Sequence, residues 1–195
     1  LKKNNHHDAL FFLNKSLKLK PNISILIKSK LELLRLMDKK KEALSFLDEM
    51  INYNPNDAYL YNEKALILSQ LNKQVESINS YKSAYLIDPD YPYVLGNIVF
   101  EKLKNCEWDN IENNFDDIYK KIKKGKEVSD PLLVSYIFDS PLIQNETAKI
   151  WVNFKKDEKY NEYQFSNLEN HKKLNIGYFS ADFRNHPVGH LISRS

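Results

Sequence analysis

The sequence contains little cysteine, little glycine and no long apolar run. Its single cysteine, Cys106, has no partner for an internal disulfide, so the chain is not a disulfide scaffold and a reducing, cytoplasmic location is expected. Four glycines among 195 residues exclude collagen-like and linker-like classes. The longest apolar run, Leu132 to Phe138, is far shorter than the roughly 20 residues that span a bilayer. We therefore expect no membrane-spanning segment and no membrane partner.

The charge is nearly balanced. The chain has 29 Lys and Arg against 26 Asp and Glu, which leaves a formal net charge of +3. The lysine runs at 39–41 and 120–124 lie beside acidic residues, a pattern typical of solvated helix faces. We therefore expect no nucleic-acid partner. A hydrophobic share of 42% with 28% charged residues indicates a folded, helix-rich chain.

A step of 34 residues recurs in the first hundred residues. Prolines flanked by polar residues stand at Pro21, Pro55 and Pro89, which are 34 positions apart. Other positions keep this step: small residues at Ala9, Ala43 and Ser77, apolar ones at Leu10, Leu44 and Ile78, and bulky ones at Leu13, Leu47 and Tyr81. Between the prolines, apolar residues recur at helical spacing with one polar break. Each unit is therefore predicted to be two antiparallel helices and a turn.

This period, with a small residue on the second helix and a proline at the end, resembles the tetratricopeptide repeat. The resemblance implies a mainly α-helical solenoid over residues 1–104, with whole repeats at 22–55 and 56–89. The small residues Ala43, Ala65 and Ala84 are expected where helices approach most closely.

Residues 105–170 are interpreted as a helical linker, because the 34-residue register is predicted to be lost after Leu103. Asp130 is the predicted N-cap of a helix that has Pro131 at its first position, where the missing N–H costs nothing. Cys106 is expected to be buried, and Trp108 is expected to anchor the packing of the linker.

Residues 171–195 are interpreted as the first strand, loop and helix start of an open α/β domain that is truncated at Ser195. Alternation over 174–180 predicts a β-strand, followed by a loop and by a helix that begins at Pro187. Strand ends and helix N-termini face ligands in such folds, so His186 is either a catalytic or a structural residue there. His190 follows four residues later, but no third ligand is present, and no metal site is predicted.

The first helices of the solenoid are expected to line its concave face. Asn62 and Asn97 are the candidate peptide-binding residues, because side-chain amides can hydrogen-bond an extended backbone without reading its sequence. The other polar residues predicted on this face are Lys28, Glu32, Arg35, Ser69 and Tyr93. The alternative interpretation is a plain solenoid whose polar surface is only solvated.

The run from Leu174 to Leu191 resembles the opening of the catalytic region in O-linked N-acetylglucosamine transferases, including the bacterial SPINDLY-like members. The order of parts is also similar, since Cys106 and Trp108 form a Cys-x-Trp after the repeats. The resemblance implies an inverting, metal-independent enzyme with two Rossmann-like lobes and no cofactor. It would transfer N-acetylglucosamine from the sugar nucleotide UDP-GlcNAc to Ser or Thr of acceptor proteins docked on the repeats.

Within this resemblance, His186 matches the histidine of an Asp-Phe-x-x-His-Pro motif at the active site, which implies a general base. An imidazole can accept the proton of an attacking hydroxyl at neutral pH. The diphosphate-binding residues would lie beyond Ser195, so residues 1–195 alone are expected to be inactive. Related SPINDLY-type enzymes use fucose, so the donor sugar stays open.

One feature departs from that family. Its repeats often carry a ladder of asparagines along the groove; Asn97 matches one rung, but Ser29 and Glu63 occupy the two preceding rungs. Peptide binding by a full asparagine ladder is therefore not expected. The alternative function is a non-enzymatic tetratricopeptide adaptor that binds peptides or partner proteins, with the terminal strand belonging to another α/β domain.

Overall fold

A computed structural model describes residues 2–155, which belong to one compact unit of the chain, Leu1–Lys156. These described residues form nine helices and no strand. In chain order the helices are α1 (Lys2–Leu19), α2 (Ser24–Leu36), α3 (Lys40–Tyr53), α4 (Ala58–Gln70), α5 (Gln74–Ile87), α6 (Val94–Lys104), α7 (Ile111–Lys123), α8 (Pro131–Ile137) and α9 (Pro141–Lys155). The predicted strand at 174–180, His186 and His190 lie outside the described residues, and the domain limits 1–104, 105–170 and 171–195 stay predictions.

The 34-residue step is visible in the helix ends. The helices α2, α4 and α6, which we term first helices, end at Leu36, Gln70 and Lys104, each 34 residues after the last. They alternate with α1, α3, α5 and α7, which we term second helices. The predicted helix pairs are thus confirmed over 22–89, and the described part of the chain is a tetratricopeptide-like helical solenoid.

The turn within each pair contains one left-handed residue at the same step. Asp38, Asn72 and Cys106 have φ angles of 52°, 57° and 52°. The third turn is followed by α7, so the repeat geometry continues past Leu103, where the sequence pattern predicted that it would stop. The pattern failed there because Ile111 and Lys123 replace the small residue and the proline of the earlier repeats.

Small residues hold the helices close together. Ala43, Ala65 and Ala84 are all buried, as predicted for the tightest approaches. Ser77 also uses its hydroxyl, because its buried Oγ donates to the carbonyl oxygen of Ala65 at 2.9 Å. This bond fixes α5 against α4 while it satisfies a polar group that would otherwise be unpaired in the core.

The third pair carries polar residues in its interior. Glu101 and Lys102 are buried on α6, one repeat after Ile67 and Leu68. The Lys102 Nζ donates to the carbonyl oxygen of Asp109 at 2.7 Å and to Oδ1 of Asn114 at 3.2 Å. Hydrogen bonds therefore join the turn and α7 to α6 where the earlier pairs use apolar contact.

Two packing expectations were wrong. Cys106 is exposed, because it occupies the left-handed turn position and its side chain is held away from the core. Trp108 is 62% exposed, because the residues between α6 and α7 form an open loop. The predicted N-cap is confirmed: Oδ1 of Asp130 accepts the backbone N–H of Leu133 at 2.9 Å, with Pro131 at the first position of α8.

The segment before α8 packs directly on α6 at a glycine. The backbone N–H of Gly96 donates to the carbonyl oxygen of Val128 at 3.0 Å, and that of Tyr93 donates to the carbonyl oxygen of Glu127 at 2.7 Å. A Cβ at position 96 would stand 2.7 Å from the Val128 oxygen and 2.8 Å from Oγ of Ser129. A side chain of any size at position 96 is therefore incompatible with this contact.

Candidate functional site

The first helices α2 and α4, together with the start of α3, enclose a groove of about 360 Å³. The groove has an apolar floor and carries charged and polar side chains on its walls, a composition typical of binding clefts. The lining residues are Lys28, Leu31, Glu32, Leu34, Arg35, Lys40, Ala43, Tyr59, Glu63, Leu66, Ile67 and Gln70. Lys28, Glu32 and Arg35, which were predicted on the concave face, all line this groove.

The α2 wall carries a closed ion pair. The guanidinium of Arg35 donates through Nε and Nη2 to both carboxylate oxygens of Glu32, at 2.8 Å and 2.7 Å. Such two-point contacts hold both side chains in one geometry. Arg35 lowers the pKa of Glu32, and the two charges largely cancel at this part of the rim.

The opposite wall carries a carboxylate of a different kind. Burial raises the pKa of Glu63 above its usual value, and the nearby charge of Glu32 acts in the same direction. Arg35, Lys28 and the side chain of Asn62 act against this effect without cancelling it. Among the described residues, no cation lies within ion-pair distance of Glu63. The groove thus contains a partly desolvated carboxylate that lacks a counterion.

One of the groove cations lies over an aromatic ring. The Nζ of Lys28 lies 4.9 Å from the centroid of the Tyr59 ring, within the range of a cation–π contact. Burial, followed by the charge of Glu63, raises the pKa of Tyr59 well above its usual value. Tyr59 therefore stays a neutral hydrogen-bond donor at all physiological pH values.

Two of the groove positions recur at the 34-residue step on the other first helices. Glu32, Leu66 and Phe100 are spaced 34 residues apart on successive first helices, and Leu66 and Phe100 are 36% and 42% exposed. Ser29, Glu63 and Asn97 form a parallel row. Exposed apolar residues beside a polar row give a surface that an extended chain can follow.

The two predicted peptide-binding asparagines occupy different environments. Asn97 lies half-buried on α6 in the same row as Glu63. Asn62 is 9% exposed, and its buried Oδ1 accepts no hydrogen bond from the described residues. Their role in peptide binding stays a prediction.

Two further residues predicted on the concave face are not among the groove lining. The hydroxyl of Ser69 donates to Oε1 of Glu101 at 2.6 Å. Tyr93 is half-buried, and its hydroxyl is unpaired among the described residues.

Glu63 is the groove residue that sequence reasoning did not single out as a site. It was noted only as a departure from the asparagine ladder. The 34-residue row through Ser29 and Asn97 was the available signal, since it places a carboxylate where neighbouring repeats carry neutral polar groups.

A second, larger crevice of about 630 Å³ lies between the second helices α1 and α3. Ala43 and Phe46 of α3 are buried. Phe12, which occupies in α1 the position equivalent to Phe46, is 63% exposed. The crevice is lined by residues of α1 and α3 together with Pro21 and with Lys30 of α2. Its composition points to repeat packing, and the groove is the better candidate site.

Residues 2–155 show neither a membrane span nor a metal site. No described helix combines the length and apolarity needed to cross a bilayer. No group of His, Cys, Asp and Glu in this part of the chain has the arrangement of a metal site.

Comparison with known proteins supports the fold. No family model matches the sequence, and no curated protein is similar to it at a meaningful level. A crystal structure of MamA protein superposes with a TM-score of 0.53 at 19% identity, covering 61% of this chain and 65% of that one. MamA from Desulfovibrio magneticus RS-1 gives 0.49 at 21% identity, with 60% and 66% coverage.

A third structure, MamA AMB-1, gives a TM-score of 0.47 at 20% identity and covers 55% of this chain. The chain spans 58% of that MamA molecule, less than two thirds of its length. At these identities the likeness shows the fold alone, a tetratricopeptide-like helical repeat.

Proposed function

We propose that residues 2–155 form a docking module that holds an extended segment of a partner protein in the groove of α2, α3 and α4. The groove itself supports this proposal most directly: it joins an apolar floor, neutral hydrogen-bond donors and a desolvated carboxylate in one cleft. Helical repeats use such surfaces for binding because the repeated helices extend one continuous groove.

An extended segment suits the spacing of the groove. A chain in extended conformation presents alternate side chains to opposite sides and exposes its backbone N–H and C=O groups. Leu66 and Phe100 would receive apolar side chains, while Tyr59 and Gln70 have polar atoms for the backbone. Each contact is weak, so affinity would come from their sum along the groove.

The docking proposal is tested by selection of random 12-residue peptides displayed on phage against the 195-residue chain. Binding of the selected peptides is then measured by fluorescence anisotropy with two matched variants. Leu66→Lys places a charge on the groove floor and is expected to weaken binding at least tenfold. Leu86→Lys makes the same change on α5, where Leu86 is 82% exposed, and should leave binding unchanged. Equal binding by both variants would overturn the proposal.

A second proposal concerns the whole protein and rests on the resemblance of residues 174–191. The docking module would present acceptor proteins to a glycosyltransferase lobe that begins in 171–195, with 105–170 as the linker. In that arrangement His186 accepts the proton of the attacking Ser or Thr hydroxyl while UDP leaves the anomeric carbon of N-acetylglucosamine. The repeats support this proposal only by supplying an acceptor-docking surface.

The transferase proposal is tested with the product of the full open reading frame, labelled UDP-GlcNAc and a protein lysate. We expect label in protein for the wild type and for His7→Ala, a change at an exposed site on α1. His186→Ala should lose at least a hundredfold in rate, a typical contribution of a general base. Absence of transfer by the folded wild type would leave a non-enzymatic adaptor, and full activity of His186→Ala would remove this residue from the chemistry.

A further inference from the structure

Two carboxylates line the groove, and their surroundings differ. Glu32 is neutralised by the two-point contact with Arg35. Glu63 has no ion pair with any described residue, although it is half-buried. The groove thus satisfies one negative charge and leaves the other without a counterion.

The cations around Glu63 are committed elsewhere. Arg35 holds Glu32, the Nζ of Lys40 lies 3.4 Å from Oδ1 of Asp38, and Lys28 lies over the ring of Tyr59. An anionic ligand would have to break one of these contacts and would also meet the carboxylate of Glu63. A cationic ligand needs neither change.

The position of Glu63 is costly for the free protein. A carboxylate removed from water without a counterion is unfavourable, and a cation that reaches it recovers this cost through a charge-assisted hydrogen bond. Resting on the docking function proposed above, we infer that Glu63 selects a lysine or arginine side chain in the docked segment. The partner is an extended peptide segment with a basic residue at this point.

Leu66 adds a second element to the specificity. It lies one helical turn after Glu63 on α4, so both side chains share one helix face. A peptide that places its basic side chain against Glu63 therefore has apolar surface beside that side chain. The selected sequences should combine a basic residue with a nearby apolar residue.

The test uses the phage-displayed 12-residue library with the 195-residue chain and with Glu63→Gln, which keeps size and hydrogen bonding but removes the charge. Glu112→Gln, an exposed site on α7 outside the groove, is the matched control. Selected peptides are resynthesised with their Lys or Arg replaced by Gln. Anisotropy then gives the affinity of each pair of peptides for each protein.

We expect Lys or Arg enrichment for the wild type and Glu112→Gln, and roughly tenfold weaker binding of these peptides by Glu63→Gln. The Gln-substituted peptides should bind wild type and Glu63→Gln alike. Groove-dependent peptides without basic enrichment, or equal binding of basic peptides by both proteins, would overturn this inference while docking stands. Failure of the wild type to select any peptide sensitive to Leu66→Lys would overturn the docking function, and this inference with it.

Discussion

At the residue scale, Gly96 shows how one missing side chain positions a whole segment. Because a Cβ would stand 2.7 Å from the Val128 carbonyl oxygen, Gly96→Ala must push the segment around Ser129 away from α6. We expect a loss of about 1–3 kcal/mol in the free energy of unfolding, measured by urea denaturation. Ser45→Ala, at an exposed site on α3, should be nearly neutral.

A stabilising effect of Gly96→Ala would contradict this account. Helix propensity alone favours Ala over Gly by about 1 kcal/mol in a helix interior. If Gly96→Ala were more stable than the wild type, the close approach of 126–130 to α6 would be wrong.

The charge of Glu63 is expected to lower the stability of the fold, although it favours the binding of a basic peptide. Burial raises the pKa of this carboxyl in the folded chain, so the folded state binds its proton more tightly than the unfolded state. Its charge therefore destabilises the fold at pH values above the folded pKa, and this penalty disappears as pH falls through the folded pKa to below the unfolded value. Lys28, Arg35 and Glu32 are the charged groups that face it and are unchanged by the substitution.

We therefore expect Glu63→Gln to raise the melting temperature at neutral pH and to lose this advantage in acid, below the usual range for a glutamate. Thermal unfolding followed by circular dichroism across pH 3–8 measures this difference, with Glu112→Gln as the control. If Glu63→Gln were less stable than the wild type at neutral pH, the charge of Glu63 would stabilise the folded state, contrary to this prediction.

At the element scale, the turn between first and second helices is set by one left-handed residue. Asp38 and Asn72 belong to the few residue types that tolerate this conformation, whereas Cys106 does not share their advantage. Cys106→Asn is expected to stabilise the chain by roughly 0.5–1 kcal/mol, and Cys106→Val to destabilise it by about 1 kcal/mol. Urea unfolding measures both.

The side chain of Cys106 is exposed, so these changes act through the backbone and leave the core contacts intact. Equal stability of the Asn and Val variants would contradict a left-handed residue at this turn. That result would also mean that the turn between α6 and α7 lacks the geometry of the first two turns.

The repeat elements were predictable from sequence because their spacing reflects packing. Small residues such as Ala43 and Ala65 recur where helices touch, and prolines mark the ends of the repeats. The third pair was not recognised as a repeat because Ile111 and Lys123 replace the small residue and the proline, and because the buried Lys102 is held by hydrogen bonds. Such bonds depend on partners distant in sequence, and no periodic pattern marks them.

The candidate site was predictable only in part. Lys28, Glu32 and Arg35 follow from the helical period of α2, since they lie on one face. The pairing of Glu32 with Arg35 is a contact three residues apart within α2, whereas the isolation of Glu63 depends on how α2 and α4 approach each other. Sequence spacing places these residues near the groove but does not decide which charge is left without a counterion.

At the scale of the whole molecule, the row through Ser29, Glu63 and Asn97 links the repeats into one surface. A peptide that follows this surface would contact α2, α4 and α6 in turn. Among the second helices, only the start of α3 would take part, because Lys40 and Ala43 line the groove.

The most direct test maps a selected peptide onto the ¹⁵N-labelled 195-residue chain by NMR titration. Docking in the groove predicts amide shift changes concentrated on the first helices, around Lys28, Glu63, Leu66 and Asn97. Shift changes confined to the α1–α3 crevice, around Phe11 and Met50, would contradict the assignment of the groove as the docking site.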